Sequence, residues 1–274
     1  MCRSGPAAAS WYPGHMSSSV RQIQDQYMKQ VHMIVEVRDA RLPLTSASIH
    51  LHPLIASKRR LIVLNKSDLA DLSQRHRIQD AILMQSPDTP EIRFVSRRDH
   101  QTLITSIIDA ASSCSRFRTT PRLVMIVGIP NVGKSSIIRS LKRDKKSVLV
   151  GARPGLTRSI SRLQLGQHNL YLLDTPGILP PAIHSDVQAQ QLSLIHSIPD
   201  HVVGNYLTGQ YLYEIMTGMK PTETEFHEFL VQLARRRSFY LSSTAELDLD
   251  RALAFYLQQF REGDLGKFML DQLE

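Results

Sequence analysis

A chain of 274 residues with 42% hydrophobic residues is long and apolar enough to bury one large core or two modest ones, and reads as globular. No stretch approaches the run of about 18 apolar residues that a membrane-crossing helix needs, which leaves only peripheral membrane contact open. Two cysteines, Cys2 and Cys114, are too few for a disulfide framework and fit a reducing compartment, while a formal charge of +8 points to a polyanionic partner.

The charge is unevenly spread. Residues 220–274 hold seven Lys or Arg against ten Asp or Glu, leaving 26 against 15 in residues 1–219. Basic clusters fall at Lys58, Arg59 and Arg60, at Arg97 and Arg98, and at Lys142, Arg143, Lys145 and Lys146. They are the footprint of a nucleic-acid binder or else an ordinary solvated basic face. The first ten residues, MCRSGPAAAS, have one Arg and no acid, which is the flavour of a transit peptide but too short for a convincing one.

In chain order, HMIVEV (32–37), LIVLN (61–65), IRFVS (92–96) and LVMIVG (123–128) read as buried parallel strands. Residues 99–113 are long and amphipathic enough for a crossover helix. SISRLQL (159–165) and NLYLLD (169–174) alternate apolar with polar residues and predict a hairpin at the sheet edge. Strands alternating with helices predict an α/β fold, a doubly wound and mostly parallel sheet.

Beyond position 181 the strand pattern stops. TETEFHEFLVQLARRR places Thr222 and Glu225 at capping-box spacing and Phe226, Phe229, Leu230 and Leu233 on one helical face. LDLDRALAFYLQQFREG aligns Leu249, Leu253, Tyr256, Leu257 and Phe260, with Gly263 as a stop. The expected division is therefore 11–181 for the α/β domain and 182–274 for a small all-helical domain.

Three loops carry nucleotide chemistry. GIPNVGKSS (128–136) has glycine, four residues, then Gly133, Lys134 and Ser135, between a strand and a helix. Its glycines let backbone N–H groups face phosphate oxygens, reinforced by the helix N-terminus. Asn131, Val132, Gly133 and Ser136 line this loop, Lys134 is placed to bridge the β- and γ-phosphates, and the Ser135 hydroxyl to ligate Mg²⁺. DTPG (174–177) follows, with Asp174 positioned to reach Mg²⁺ through water and Gly177 to bring its N–H near the γ-phosphate. Between them, Thr157 in GARPGLTRS is in the right order to supply a second hydroxyl to Mg²⁺.

NKSD (65–68) ends a buried strand and decides the base. The Asp68 carboxylate can accept from guanine N1–H and the exocyclic amino group, which adenine does not offer. Asn65 can hold the loop and the far edge of the base, the stem of Lys66 can cover a ring face, and Ser67 completes the turn. Ser96, at the end of IRFVS, is the expected contact from a second base loop.

The base-reading loop here precedes the phosphate loop, and on that order the chain resembles the circularly permuted GTPases of the YlqF/RbgA family, within it the mitochondrial branch that assists large-subunit assembly. The segments that carry the resemblance are WYPGHM (11–16), VEVRDARLPL (35–44), LNKSDLAD (64–71), VGIPNVGKSSII (127–138), RPGLTR (153–158), LLDTPGILPP (172–181) and FREGDLGKFMLDQL (260–273).

The resemblance implies a circularly permuted P-loop GTPase domain that binds GTP and GDP with Mg²⁺. It implies slow hydrolysis stimulated by the ribosomal particle, and a helical domain that contacts rRNA or ribosomal proteins of the large subunit, with other assembly factors as further partners. It also implies a mitochondrial location, in the matrix or against the inner membrane, the alternative being a bacterial-type cytoplasm. Ile178 follows DTPG where many small GTPases carry a water-orienting glutamine, and its side chain cannot hydrogen bond. The family offers His15 for that task, or else as an anchor of the N-terminus, and matches Asn131 to an asparagine that holds K⁺. The competing reading is an RNA-binding scaffold in which GTP is structural; a small-molecule kinase is disfavoured by NKSD.

Overall fold

The computed structural model describes residues 27–48, 51–55, 58–86, 90–112, 122–143, 147–149, 161–165, 170–175, 183, 185–242 and 244–273. Seven strands form one sheet: β1 (Met33–Asp39), β2 (Arg59–Asn65), β3 (Glu91–Val95), β4 (Arg122–Val127), β5 (Ser147–Leu149), β6 (Ser161–Leu165) and β7 (Leu170–Asp174), in the order β3-β2-β1-β4-β7-β6-β5. β1 is flanked by β2 and β4, with Val35 opposite both Leu61 and Ile126, and β3, β2, β1, β4 and β7 are all parallel. All seven residues of β1 and all six of β4 are buried, as expected where both faces of a parallel sheet are covered.

The expected hairpin forms as the antiparallel pair β6–β7, but it is not the edge, because β5 pairs antiparallel with β6 beyond it. Three residues, SVL, are too few to show a period, so this strand was not legible.

Among the described residues of this part the helices are α1 (His52–Ile55), α2 (Arg75–Met84), α3 (His100–Ser112) and α4 (Lys134–Arg143). Alternate strand residues face different core clusters, two of which are formed by described residues. Ile34, Leu123, Met125 and Val127 pack with Leu51 and Ile55 around α1, while Ile62 and Leu64 of β2 pack with Ile78 and Ile82 of α2.

The chain divides into two units, Met1–Ile183 together with Phe268–Glu274, and His184–Lys267. The helical domain is expected over 182–274; the described residues of its last stretch, Phe268–Leu273, cluster instead with the sheet unit. Within the second unit lie α5 (Asp186–Leu194), α6 (Asp200–Val203), α7 (Asn205–Thr217), α8 (Glu223–Arg237) and α9 (Leu249–Glu262). Thr222 caps α8 as read: its hydroxyl accepts from the Glu225 N–H at 3.2 Å, and the Glu225 carboxylate accepts from the Thr222 N–H at 2.8 Å. Gly263 ends α9 at φ 94°. The core of this unit is mostly aliphatic, with Leu192, Leu212, Leu230, Leu253 and Leu257 buried beside Phe226, Tyr256 and Phe260, and a chain of ring contacts runs from it toward the surface, Tyr206 to Phe226 at 5.1 Å between centroids, Tyr213 to Phe229 at 5.2 Å and Phe229 to Tyr256 at 4.9 Å.

Candidate guanine-nucleotide site

Because β1, β2, β4 and β7 are parallel, their carboxyl ends lie at one edge of the sheet whatever their order in the chain. Asp39 is in register with Asn65, and Ile126 with Asp174. The loops after these strands are thereby gathered at one place, although the base-reading loop precedes the phosphate loop by more than sixty residues of sequence.

Two side chains stitch the loops together. The Asn65 amide donates through Nδ2 to the Val132 carbonyl at 2.8 Å, and the Lys66 ammonium donates to the Asn131 carbonyl at 2.8 Å and to Asp39 Oδ2 at 2.9 Å. The fit leaves no spare volume: a Cβ on Gly133, at φ 103°, would stand 2.1 Å from Asn65 Nδ2. Lys66 and Asn131, the two residues joined by the ammonium-to-carbonyl bond, both adopt left-handed backbone, at φ 60° and φ 59°. Asp68 sits exposed in the single 3₁₀ turn Ser67–Leu69, Ser67 half-buried beside it, and the Lys66 carbonyl accepts from the Leu69 N–H at 2.9 Å.

Beneath this loop lies a charged network that the sequence reading did not assign. Asp39, with no solvent exposure, accepts from the Arg41 N–H, Nε and Nη2 at 3.1, 3.0 and 2.9 Å as well as from Lys66. Burial alone would raise its pKa, but the charges of Lys66 and Arg41 outweigh that and hold the carboxyl well below its ordinary range. Glu36, also fully buried, takes Arg38 through Nε and Nη2 at 3.1 Å each, Arg60 Nη1 at 3.2 Å and the Ser48 N–H at 2.8 Å. Its pKa is likewise lowered against the opposing effect of burial. The available signal was V-E-V-R-D, charges alternating with valines inside a strand buried on both faces.

Another unassigned residue is His100, at the start of α3 and buried. Its Nε2 lies 3.4 Å from Asn65 Oδ1 and its Nδ1 3.0 Å from the Ser140 hydroxyl of α4. Burial and then the charge of Arg97 lower its pKa, favouring a neutral ring. Ser96 is half-buried and serves its own turn, donating its hydroxyl to Asp99 Oδ2 at 2.6 Å and accepting from the Arg98 N–H at 3.2 Å.

In the phosphate loop, Lys134 is 6% exposed and donates to the Gly128 and Ile129 carbonyls at 2.9 and 2.7 Å. Burial pushes its pKa down to about 8, and Asp174 partly opposes this. Val132 is fully buried, Ser135 exposed and Ser136 half-buried in the first turn of α4. The Thr175 hydroxyl donates to the Ile126 carbonyl at 2.7 Å and ties the end of β7 to β4. His15, Thr157, Gly177 and Ile178 lie outside the described residues.

The residues present fit a magnesium nucleotide. An exposed hydroxyl (Ser135) and a half-buried carboxylate (Asp174) are hard oxygen donors, and no cluster of three or more acidic, histidine or cysteine ligands occurs among the described residues. Two such oxygens could hold Mg²⁺, which takes one or two protein oxygens and would complete its shell with phosphate and water. When bound, the ion neutralises charge on the β- and γ-phosphates.

The chain is similar to known proteins in sequence and in fold. A family model described as 50S ribosome-binding GTPase matches residues 123–239, from β4 into the helical unit. Mitochondrial ribosome-associated GTPase 1 of Xenopus tropicalis is 32% identical over 96% of this chain and 94% of its own length. Ribosome biogenesis GTPase A of Thermotoga maritima is 32% identical over 97% of this chain and 95% of its own. A GDP-bound structure of T. maritima YlqF superposes with TM-score 0.65 at 28% identity, covering 92% of this chain and 99% of that one, and a GNP-bound structure with TM-score 0.64 at 26% identity, covering 93% and 97%. The chain belongs to this family of guanine-nucleotide-binding GTPases, the YlqF/RbgA family that its loop motifs and their order resemble.

Proposed function

We propose that this GTPase is an assembly factor for the large ribosomal subunit in mitochondria, working in the matrix or against the inner membrane. The single observation that carries the nucleotide chemistry is the pair of bonds from Asn65 and Lys66 into the phosphate loop, which makes base reading and phosphate binding one structure. The ribosomal partner is supported by relatives named for mitochondrial ribosome association and for ribosome biogenesis over nearly their whole length. No described helix is long and apolar enough to cross a membrane.

In this reading Asp68 reads guanine, Lys134 bridges the β- and γ-phosphates, and Ser135, Thr157 and Asp174 serve Mg²⁺. Gly177 meets the γ-phosphate, Asn131 holds a K⁺ ion beside the phosphates, and His15 positions the attacking water. With Ile178 unable to orient water, hydrolysis is slow until the particle completes the site. The helical unit is the docking element, since the chain enters it a few residues after DTPG.

Phosphate release from GTP and ATP, with and without purified large subunits, tests the reading. GTP turnover raised by the particle supports it. GTP binding without stimulation would favour the scaffold, and equal rates in sodium and potassium buffers would remove the K⁺ ion.

A further inference from the structure

Chain ends fray unless something holds them, and ordering half a dozen residues carries an entropic cost of about 1–2 kcal/mol each. The C-terminal segment after the helical unit is nevertheless tied at several points. The Phe268 N–H donates to the Leu69 carbonyl at 3.2 Å and the Asp71 N–H to the Phe268 carbonyl at 3.1 Å, a parallel bridge around Ala70. The Leu270 N–H donates to the Arg41 carbonyl at 2.9 Å, and Arg77 Nη2 to the Leu273 carbonyl at 2.8 Å. Met269 and Leu273 pack against the cluster of Ala40, Ile62, Leu64, Ala70, Ile78 and Ile82.

Asp271, 8% exposed, adds a polar anchor. Its Oδ2 accepts from the Leu44 and Thr45 N–H groups at 2.6 and 3.2 Å and its Oδ1 from the Thr45 hydroxyl at 2.6 Å. The attachment points matter. Leu69 and Ala70 directly follow Asp68, the guanine reader, and Arg41 holds Asp39, which holds Lys66. The segment therefore braces the base-reading loop from its far end and from beneath.

We propose that Phe268–Leu273, anchored by Asp271, is a positioning element of the guanine site, so that the affinity for guanine nucleotide depends on residues that follow the helical unit. The helical unit then connects to the nucleotide site by chain at both ends: after DTPG, and through Lys267 into the segment that braces NKSD. Any force that draws Lys267 away from the sheet loosens the grip on the base. This rests on the family's guanine-nucleotide binding and not on the ribosomal partner, so assays without ribosomes decide it and leave the assembly role untouched.

The test compares Asp271→Ala with Asp271→Asn in the full chain. Asparagine can accept from both N–H groups and donate to the Thr45 hydroxyl, whereas alanine can do neither. The expected result is GDP affinity about tenfold weaker in Asp271→Ala and restored to within about twofold in Asp271→Asn. KM for GTP should rise in Asp271→Ala while kcat at saturating GTP stays put. A lower melting temperature with unchanged GDP affinity would overturn the proposal, as would equal losses in both variants. Should Asp271→Ala not fold, hydrogen exchange of the wild-type chain decides. The amides of Asp71, Phe268 and Leu270 should gain protection together when GDP binds, and no response at Phe268 and Leu270 would overturn the proposal.

Discussion

The two units bury different kinds of residue. In the sheet unit, Glu36, Arg38, Asp39 and Arg41 are essentially without solvent exposure, alongside Asn65, His100 and Lys134. Among the described residues of the helical unit the buried polar groups are the uncharged Gln191, Ser193, Ser197 and Thr208, and the core is leucine and isoleucine with Phe226, Tyr256 and Phe260. Buried charge is costly unless every partner is in place, and its use here is to fix the position of one loop against another. An apolar core needs only shape and volume to match. The first unit is built to hold atoms at set places, the second to hold helices together.

That contrast breaks most visibly at Asp39. Asp39→Ala strands the buried Arg41 and takes one partner from the half-buried Lys66, and removing one partner of a buried pair costs about 3–5 kcal/mol. Urea denaturation should show that loss, and GTP affinity should fall with it because Lys66 loses its anchor. Gly209→Ala is the counterpart in the helical unit. A Cβ there would meet Leu253 Cδ1 at 2.5 Å and Phe226 Cζ at 2.9 Å, so overpacking should cost about 1–3 kcal/mol in the same experiment. GTP affinity measured on that variant should not change.

A smaller effect sharpens the electrostatic side. Lys134 has a pKa lowered from 10.5 to about 8, so the folded free protein binds fewer protons than the unfolded chain between those values. Stability therefore rises with pH across that window, and below about pH 8 the full cost of the buried charge is present. A bound polyphosphate restores the charge. Binding of GDP at pH 8 should take up about half a proton, read by calorimetry in buffers of different ionisation enthalpy. Lys134→Met should abolish that uptake.

Legibility in the sequence follows the same divide. The parallel strands could be read because burial on both faces makes them continuous apolar runs, and Thr222, Glu225 and Gly263 could be read because caps act locally. The loop motifs showed which residue types approach a nucleotide. What could not be read depends on partners distant in sequence. Asn65 meets Val132 across 67 positions, and Asp271 meets Leu44 across 227. The return of Phe268–Leu273 to the sheet had no local sign, since four of its bonds use backbone groups that any residue carries. His100 falls inside the stretch 99–113 expected as a crossover helix, and nothing nearby foretells Ser140 or Asn65 beside it.

The central claim is that a guanine reader placed before the phosphate loop in the chain still works as one site with it. Asp68→Asn tests this most directly. An amide in place of the carboxylate presents a donor where guanine also presents one, and matches the 2-oxo group of xanthine instead. Affinities for GTP and XTP, measured on both proteins, should reverse in preference, with GTP favoured by the wild type and XTP by the variant. An unchanged preference for GTP in Asp68→Asn would contradict the account, because the base would then be read somewhere else.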